Sequence, residues 1–231
     1  MKRALPFLII VAVLVGAGII AWGLKQSAVQ PPVAQPPVNS SQLATPAPPK
    51  VGEAGAEPAY SKGDAKAPII LEEFGDFQCP PCGALHPVLK TMEQEFGPKI
   101  RVVFREFPLV PAHQHAVAAA RSAEAAGLQG KFWEMHHLLY ENQATWSNAF
   151  DVRPIFEGFA AKAGLDVEKF KRDLTSETVA QRIFLDGKRG RSLGVSGTPT
   201  MFMNGREVPF ESLPAEKLRV VISNELKALG K

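Results

Sequence analysis

Residues 68–87 read PIILEEFGDFQCPPCGALHP, and this stretch decides the fold. Its first part, Pro68 to Phe74, is a short apolar run bounded by Pro and Gly75, the pattern of a buried strand. Its second part holds Cys79-Pro80-Pro81-Cys82, and these two cysteines are the only ones among 231 residues. Two thiols spaced i and i+3 meet on one helical turn and can cycle between dithiol and disulfide. A C-x2-C pair also serves as half of a zinc site, but zinc needs about four ligands and no second C-x2-C follows. Five histidines, His86, His113, His115, His136 and His137, are available to complete one, and none falls at a zinc-finger spacing. An inert structural bridge is the other alternative. A loop this short gains little from closure entropy, which grows with loop length, so the pair reads as a reagent and no metal is expected.

Outward from the tetrad, GALHPVLKTMEQEFG (83–97) reads as a helix stopped by Gly97-Pro98, with Pro87 predicted to kink it. Ile100 to Phe107 is the next strand, so the order strand–helix–strand predicts a parallel pair. From about 112 to 193 the spacing turns helical. An alanine-rich helix follows His113, then 131–140, 156–163, 167–174 and 178–193. Met201 to Val208 is a hairpin turning at Asn204-Gly205, and Pro214 to Leu229 closes the chain as an amphipathic helix.

The chain opens Met1-Lys2-Arg3 and then runs uncharged from Ala4 to Leu24. That length of helix rises ~31 Å, close to the hydrocarbon thickness of a bilayer. It exceeds the apolar region of an ordinary signal peptide and has no A-x-A site close behind it. Residues 1–25 therefore read as a transmembrane anchor, a cleaved signal peptide being the alternative; either puts the body outside the cytosol, where disulfides persist. Residues 26–60, with eight prolines, read as a flexible tether. Residues 61–231 form one body with 22 basic and 21 acidic residues, a balance that offers nucleic acid no electrostatic footprint.

Together these residues resemble the DsbA-type branch of the thioredoxin superfamily, including its membrane-tethered relatives. The resemblance rests on C-x-x-C after the first core strand and on Pro87 five residues beyond Cys82. It rests also on Arg105 to Leu109, His113 to Ala116, Gly130 to His136, and Gly197-Thr198-Pro199-Thr200, which is similar to the cis-proline loop. It implies a thioredoxin-like α/β fold with a helical insertion, and a thiol–disulfide oxidoreductase that oxidises exported proteins and exchanges electrons with a membrane partner. Its only redox centre would be the Cys79–Cys82 disulfide, with no organic cofactor. Cys79, at the helix start, is expected to be the exposed attacking sulfur and Cys82 the deeper resolving one. The resemblance makes Thr198-Pro199 the substrate-binding loop and Glu73 a buried proton acceptor for Cys82. Pro80-Pro81 departs from the Pro-His of the best-known DsbA pattern and leaves isomerase or reductant activity as the alternative. A peptide-binding module with incidental thiols is a further one. No chemistry is assigned to His113, His115, His136 or His137.

Overall fold

The computed structural model describes residues 48–231. The apolar run at 4–24 and the prolines before residue 48 lie outside the described residues. No helix among those described is long and apolar enough to cross a membrane.

The expected strand–helix–strand unit forms the centre. Strand β1 (Tyr60–Gly63) precedes β2 (Ile69–Gly75), helix α1 (Pro80–Phe96) and β3 (Ile100–Glu106). The helical insert follows as α2 (Ala116–Gly127), α3 (Phe132–Glu141), α4 (Gln143–Trp146), α5 (Arg153–Lys162), α6 (Val167–Asp173) and α7 (Glu177–Ser192). Strands β4 (Thr200–Met203) and β5 (Arg206–Val208) and helix α8 (Ala215–Ala228) complete the chain. The sheet runs in the order β1-β3-β2-β4-β5. β2 and β3 are parallel, with Leu71 opposite Val102 and Glu73 opposite Phe104. The hairpin turns where expected, with Asn204 at φ 49° and Gly205 at φ 78°, the left-handed conformations that a two-residue turn requires.

One face of the sheet is covered by α1 and α8. Leu85, Leu89 and Met92 of α1 and Leu218, Ile222 and Leu226 of α8 pack on Ile69, Leu71, Ile100, Val102 and Met201. The four- and three-residue steps on α1 and the four-residue steps on α8 are the amphipathic period that this face needs. On the other face α7 lies against Phe74 and Phe107. A Cβ on Gly190 would come within 2.7 Å of the Phe107 ring and 3.0 Å of the Phe74 ring, so only glycine permits this approach. The alanines of α2 let the insert close tightly: Ala119, Ala123, Ala125 and Ala126 are all buried with Met135, Leu139 and Phe156.

Side chains alternate across a strand, and this separates the adjacent carboxylates of β2. Glu72 points under α7, where Arg105 Nε donates to Oε1 at 2.9 Å and Arg189 grips both oxygens at 2.8 Å. Burial pushes the Glu72 carboxyl up, but the hydrogen bonds from Arg189 and Arg105 outweigh it and hold the pKa below the usual range. Glu73 points to the opposite face, toward the cysteines.

The expected boundary at residue 61 is corrected. The folded body extends toward the amino terminus, into the stretch expected to be tether. Ala56 is fully buried, its N–H donates to Asp186 Oδ1 at 2.8 Å, and its carbonyl accepts from Arg105 Nη1 at 2.7 Å. Tyr60 opens an edge strand and stacks on Phe132 with ring centroids 3.9 Å apart. These contacts draw on partners 49 to 130 residues distant, which the local proline-rich composition cannot reveal. Helix α1 also begins three residues before Gly83. Prolines 80 and 81 occupy its first turn, where a missing N–H costs nothing. The short helix α4 was not expected from the sequence.

Candidate functional site

The site is assembled from four places: the end of β2, the start of α1, the loop before β4, and the insert. Cys79 is the residue that caps α1, with extended φ/ψ of −70° and 119°, and Cys82 lies in the first turn. Both are free thiols. The loop that delivers them is held by Asp76, whose Oδ1 accepts from Gln78 N at 2.7 Å. Its Oδ2 accepts from Leu109 N and from His113 Nδ1, each at 2.8 Å. Gln143 of α4 donates to the carbonyls of Phe77 and Cys79 at 2.7 and 2.9 Å. Thus the insert fixes the cysteine loop from outside, and His113 has a positioning contact that the sequence did not suggest.

Thr198–Pro199 is a cis peptide bond, as the resemblance implied. The Cys79 thiol donates to the Thr198 carbonyl across 3.2 Å. Every site residue named from the sequence therefore falls in one region: Cys79, Pro80, Pro81, Cys82, Thr198, Pro199 and Glu73. One expectation is corrected. Cys79 is 4% exposed rather than open, because it joins the cluster of Phe77 and Phe104 and lies against the Thr198 carbonyl. Cys82 is fully buried.

The two sulfurs are driven apart in acidity. A hydrogen bond from the Cys82 side chain does most to lower the Cys79 pKa, to about 6; burial opposes this, and the Thr198 side chain and the Cys82 N–H assist. Pro80 and Pro81 carry no N–H, so Cys82 supplies the first backbone donor of the helix start. The Cys82 thiol is pushed up, first by burial and then by Cys79 and Glu73. Glu73 is 2% exposed and its Oε1 has no partner. Burial, and then the charge of Cys79, raise it to about 8. The buried Tyr140 hydroxyl, also without a partner, shares this environment with Cys82 and Glu73, and burial pushes its pKa up. Asp76, Gln143 and Tyr140 were missed in the sequence. Only Asp76 had a local signal, an acidic residue two before Gln78 where an Asx turn can form.

Beside the cysteines a groove of about 410 Å³ runs between α1 and the Pro199 loop. It is lined by Pro81, Leu85, Val88, Pro199, Phe210 and Leu213, almost wholly apolar, and Phe210 remains 60% exposed. On the other side of Glu73, His86, His136 and His137 converge on a small cavity that Glu73 also lines.

A central parallel strand pair, a dithiol at the start of the helix between them, and a cis-proline loop against the sulfur define a thioredoxin-fold domain, here with the helical insert α2–α7 between β3 and β4. A family model described as thioredoxin matches residues 56–224, and the chain belongs to that family. BdbD from Bacillus subtilis, in its oxidised form, has a TM-score of 0.66 at 21% identity, over 77% of this chain and 98% of that one. A thioredoxin-like oxidoreductase from Silicibacter pomeroyi DSS-3 has a TM-score of 0.61 at 26% identity, over 73% and 92%. Among curated relatives, the Na(+)/H(+) antiporter NhaA 1 of Salinispora arenicola (strain CNS-205) is 40% identical over 148 residues, 64% of this chain. The chain spans only 22% of the length of that relative.

Proposed function

We propose that this chain is an extracytoplasmic thiol–disulfide oxidoreductase that donates its Cys79–Cys82 disulfide to exported proteins. The observation that carries this reading is the Cys79 sulfur held 3.2 Å from the Thr198 carbonyl of the cis-proline loop, with Cys82 buried behind it. The two sulfurs are opposed in acidity, one lowered to about 6 and the other raised. A client thiolate attacks the Cys79 sulfur of the disulfide and forms a mixed disulfide, and Cys82 departs and takes up a proton. Glu73, raised to about 8, is largely protonated at neutral pH and supplies that proton. A second client thiolate then attacks the client sulfur of the mixed disulfide. Cys79 leaves as a stabilised thiolate, and the client keeps the new disulfide. In the reverse direction Glu73 accepts the Cys82 proton and Cys82 resolves the mixed disulfide.

The apolar groove beside Pro199 suits an extended, unfolded client, whose backbone would meet the Thr198–Pro199 loop. Turnover needs no cofactor beyond the protein disulfide, and a membrane redox partner would restore it. The anchor read at residues 1–25 would keep the domain at the outer face of a membrane. Residues before 48 would tether it there.

Pro80-Pro81 favours a second reading, isomerase or reductant, because neither residue offers the thiolate a donor. The decisive experiment combines thiol trapping in cells by a Cys82→Ser variant with the reduction potential of the wild type. Mixed disulfides with envelope proteins and a potential near about −120 mV support donation, whereas a potential near about −270 mV supports the reductant. Full rescue of a disulfide-formation defect by a Cys79→Ser, Cys82→Ser protein overturns both.

A further inference from the structure

Three imidazoles meet behind the cysteines, and neither the fold nor the exchange chemistry requires them. His86 lies on α1 four residues after Cys82, and His136 and His137 are consecutive on α3. One ring nitrogen from each lies within 4.8 Å of the other two. His86 Nε2 and His137 Nδ1 share a hydrogen bond of 2.8 Å. His136 is 4% exposed, yet neither of its ring nitrogens has a partner. An unmet buried polar group costs about 1–3 kcal/mol, so a fold that keeps two on one ring lacks an obvious packing reason for the histidine. The rings open on a cavity of about 10 Å³, lined also by Glu73, Glu93 and Trp133, room for about one water-sized sphere.

We infer that His86, His136 and His137 form a binding site for a divalent transition-metal cation of the zinc type. Nitrogens bound to tetrahedral zinc at about 2.0–2.1 Å stand about 3.3 Å from one another. The present spacing, with one pair at 2.8 Å and all within 4.8 Å, brackets that value, so small ring rotations suffice. The cavity leaves a fourth position for water. Burial keeps all three imidazoles uncharged at neutral pH, with their mutual proximity second for His86 and His136; the neutral ring is the ligand form. The nearby ammonium groups are already paired. Lys62 bonds Glu93 at 2.6 Å and Lys90 bonds Glu141 at 3.1 Å, so neither leaves an unpaired positive charge beside the rings.

The test must keep the thiols from supplying ligands of their own. Tag-free, chelator-stripped full-length protein carrying Cys79→Ser and Cys82→Ser is titrated with ZnCl2 by calorimetry, and with CoCl2 by visible absorption. One Zn2+ per chain and Co2+ bands of tetrahedral intensity are expected. His137→Asn, at a half-buried position that tolerates the change, and His86→Asn should each weaken Zn2+ binding by at least about tenfold. Each variant's unfolding midpoint, measured without metal, establishes that it is folded. If His86→Asn fails to fold, His137→Asn decides. No uptake by the serine protein overturns the inference. So does uptake that His137→Asn leaves unchanged, which would place the cation elsewhere, as on His113 and His115.

Discussion

Replacing Glu73 by Gln separates the electrostatic cost of the site from its catalysis. Burial lifts this carboxyl from 4.5 to about 8 in the folded protein. The folded state therefore keeps a proton that the unfolded chain releases, and stability falls as pH rises from the unfolded value through the folded one. From that shift, the single group removes ~2.5 kcal/mol of stability between pH 5 and pH 7. Gln carries no charge and loses this pH dependence. It brings instead a fixed penalty of about 1–3 kcal/mol for amide donors placed where Glu73 Oε1 already lacks a partner. The expected result is a variant less stable than wild type at pH 5, which gains on it by ~2.5 kcal/mol by pH 7. Urea unfolding of both reduced proteins at pH 5, 6, 7 and 8 measures this. The titration of Cys79 in the same range is largely common to both and cancels to first order in the difference. A Glu73→Gln difference that stays constant across that range would refute a buried, proton-holding Glu73. If Glu73 also moves the Cys82 proton, the variant should exchange with a disulfide peptide about 10²-fold more slowly at pH 7.

The rate of Cys79 alkylation by iodoacetamide should rise with pH through a midpoint near 6. Cys82→Ala should move that midpoint up, since Cys82 is the principal donor to the thiolate, and an unmoved midpoint would contradict the assignment. A protein beginning at residue 61 should unfold with about 3 kcal/mol less stability than one beginning at residue 48, because Arg105 and Asp186 each lose a charge-assisted hydrogen bond to the Ala56 backbone. Equal urea midpoints for the two would show that this segment adds nothing. Gly190→Ala should cost about 1–3 kcal/mol through its clash with Phe107 and Phe74, read from the same unfolding curves.

What was legible in the sequence is what local patterning controls. Ile69 to Phe74 is apolar enough to be a buried strand, Asn204-Gly205 forces a turn, and the spacing of Leu85, Leu89 and Met92 writes one helical face. Thr198-Pro199 was legible only through the likeness of its loop to the family's. The contacts that finish the site are a different matter. Gln143 reaches carbonyls 64 and 66 residues away, and Asp76 joins Leu109 and His113 only once β2 and β3 are paired. In the sequence the histidines could be weighed only as partners for the cysteine pair, and His136 and His137 looked like packing or surface residues. Their meeting depends on how α3 crosses α1, which no local pattern encodes. The same holds for Gly55 and Ala56, unremarkable in a proline-rich stretch and buried only because Arg105 and Asp186 lie beneath them.

The two prolines between the cysteines seemed to argue against a stabilised thiolate, since each deletes a donor at the helix start. In the folded site Cys82 itself takes over that task, through both its thiol and its N–H, and Thr198 adds to it. At pH 7 only ionisation below the ambient pH counts. A fall from 9.0 to about 6 thus favours the reduced pair by ~1.4 kcal/mol, making the disulfide more oxidising by ~30 mV. Raising Cys82 offsets none of this, because a thiol at 9.0 is already protonated at pH 7. The principal donor, moreover, exists only when both sulfurs are reduced, as the disulfide has no thiol to offer. The Pro-Pro tetrad therefore draws its stabilisation from the reduced pair, and in the proposed reaction this would tilt the exchange toward completing the donation once it has begun.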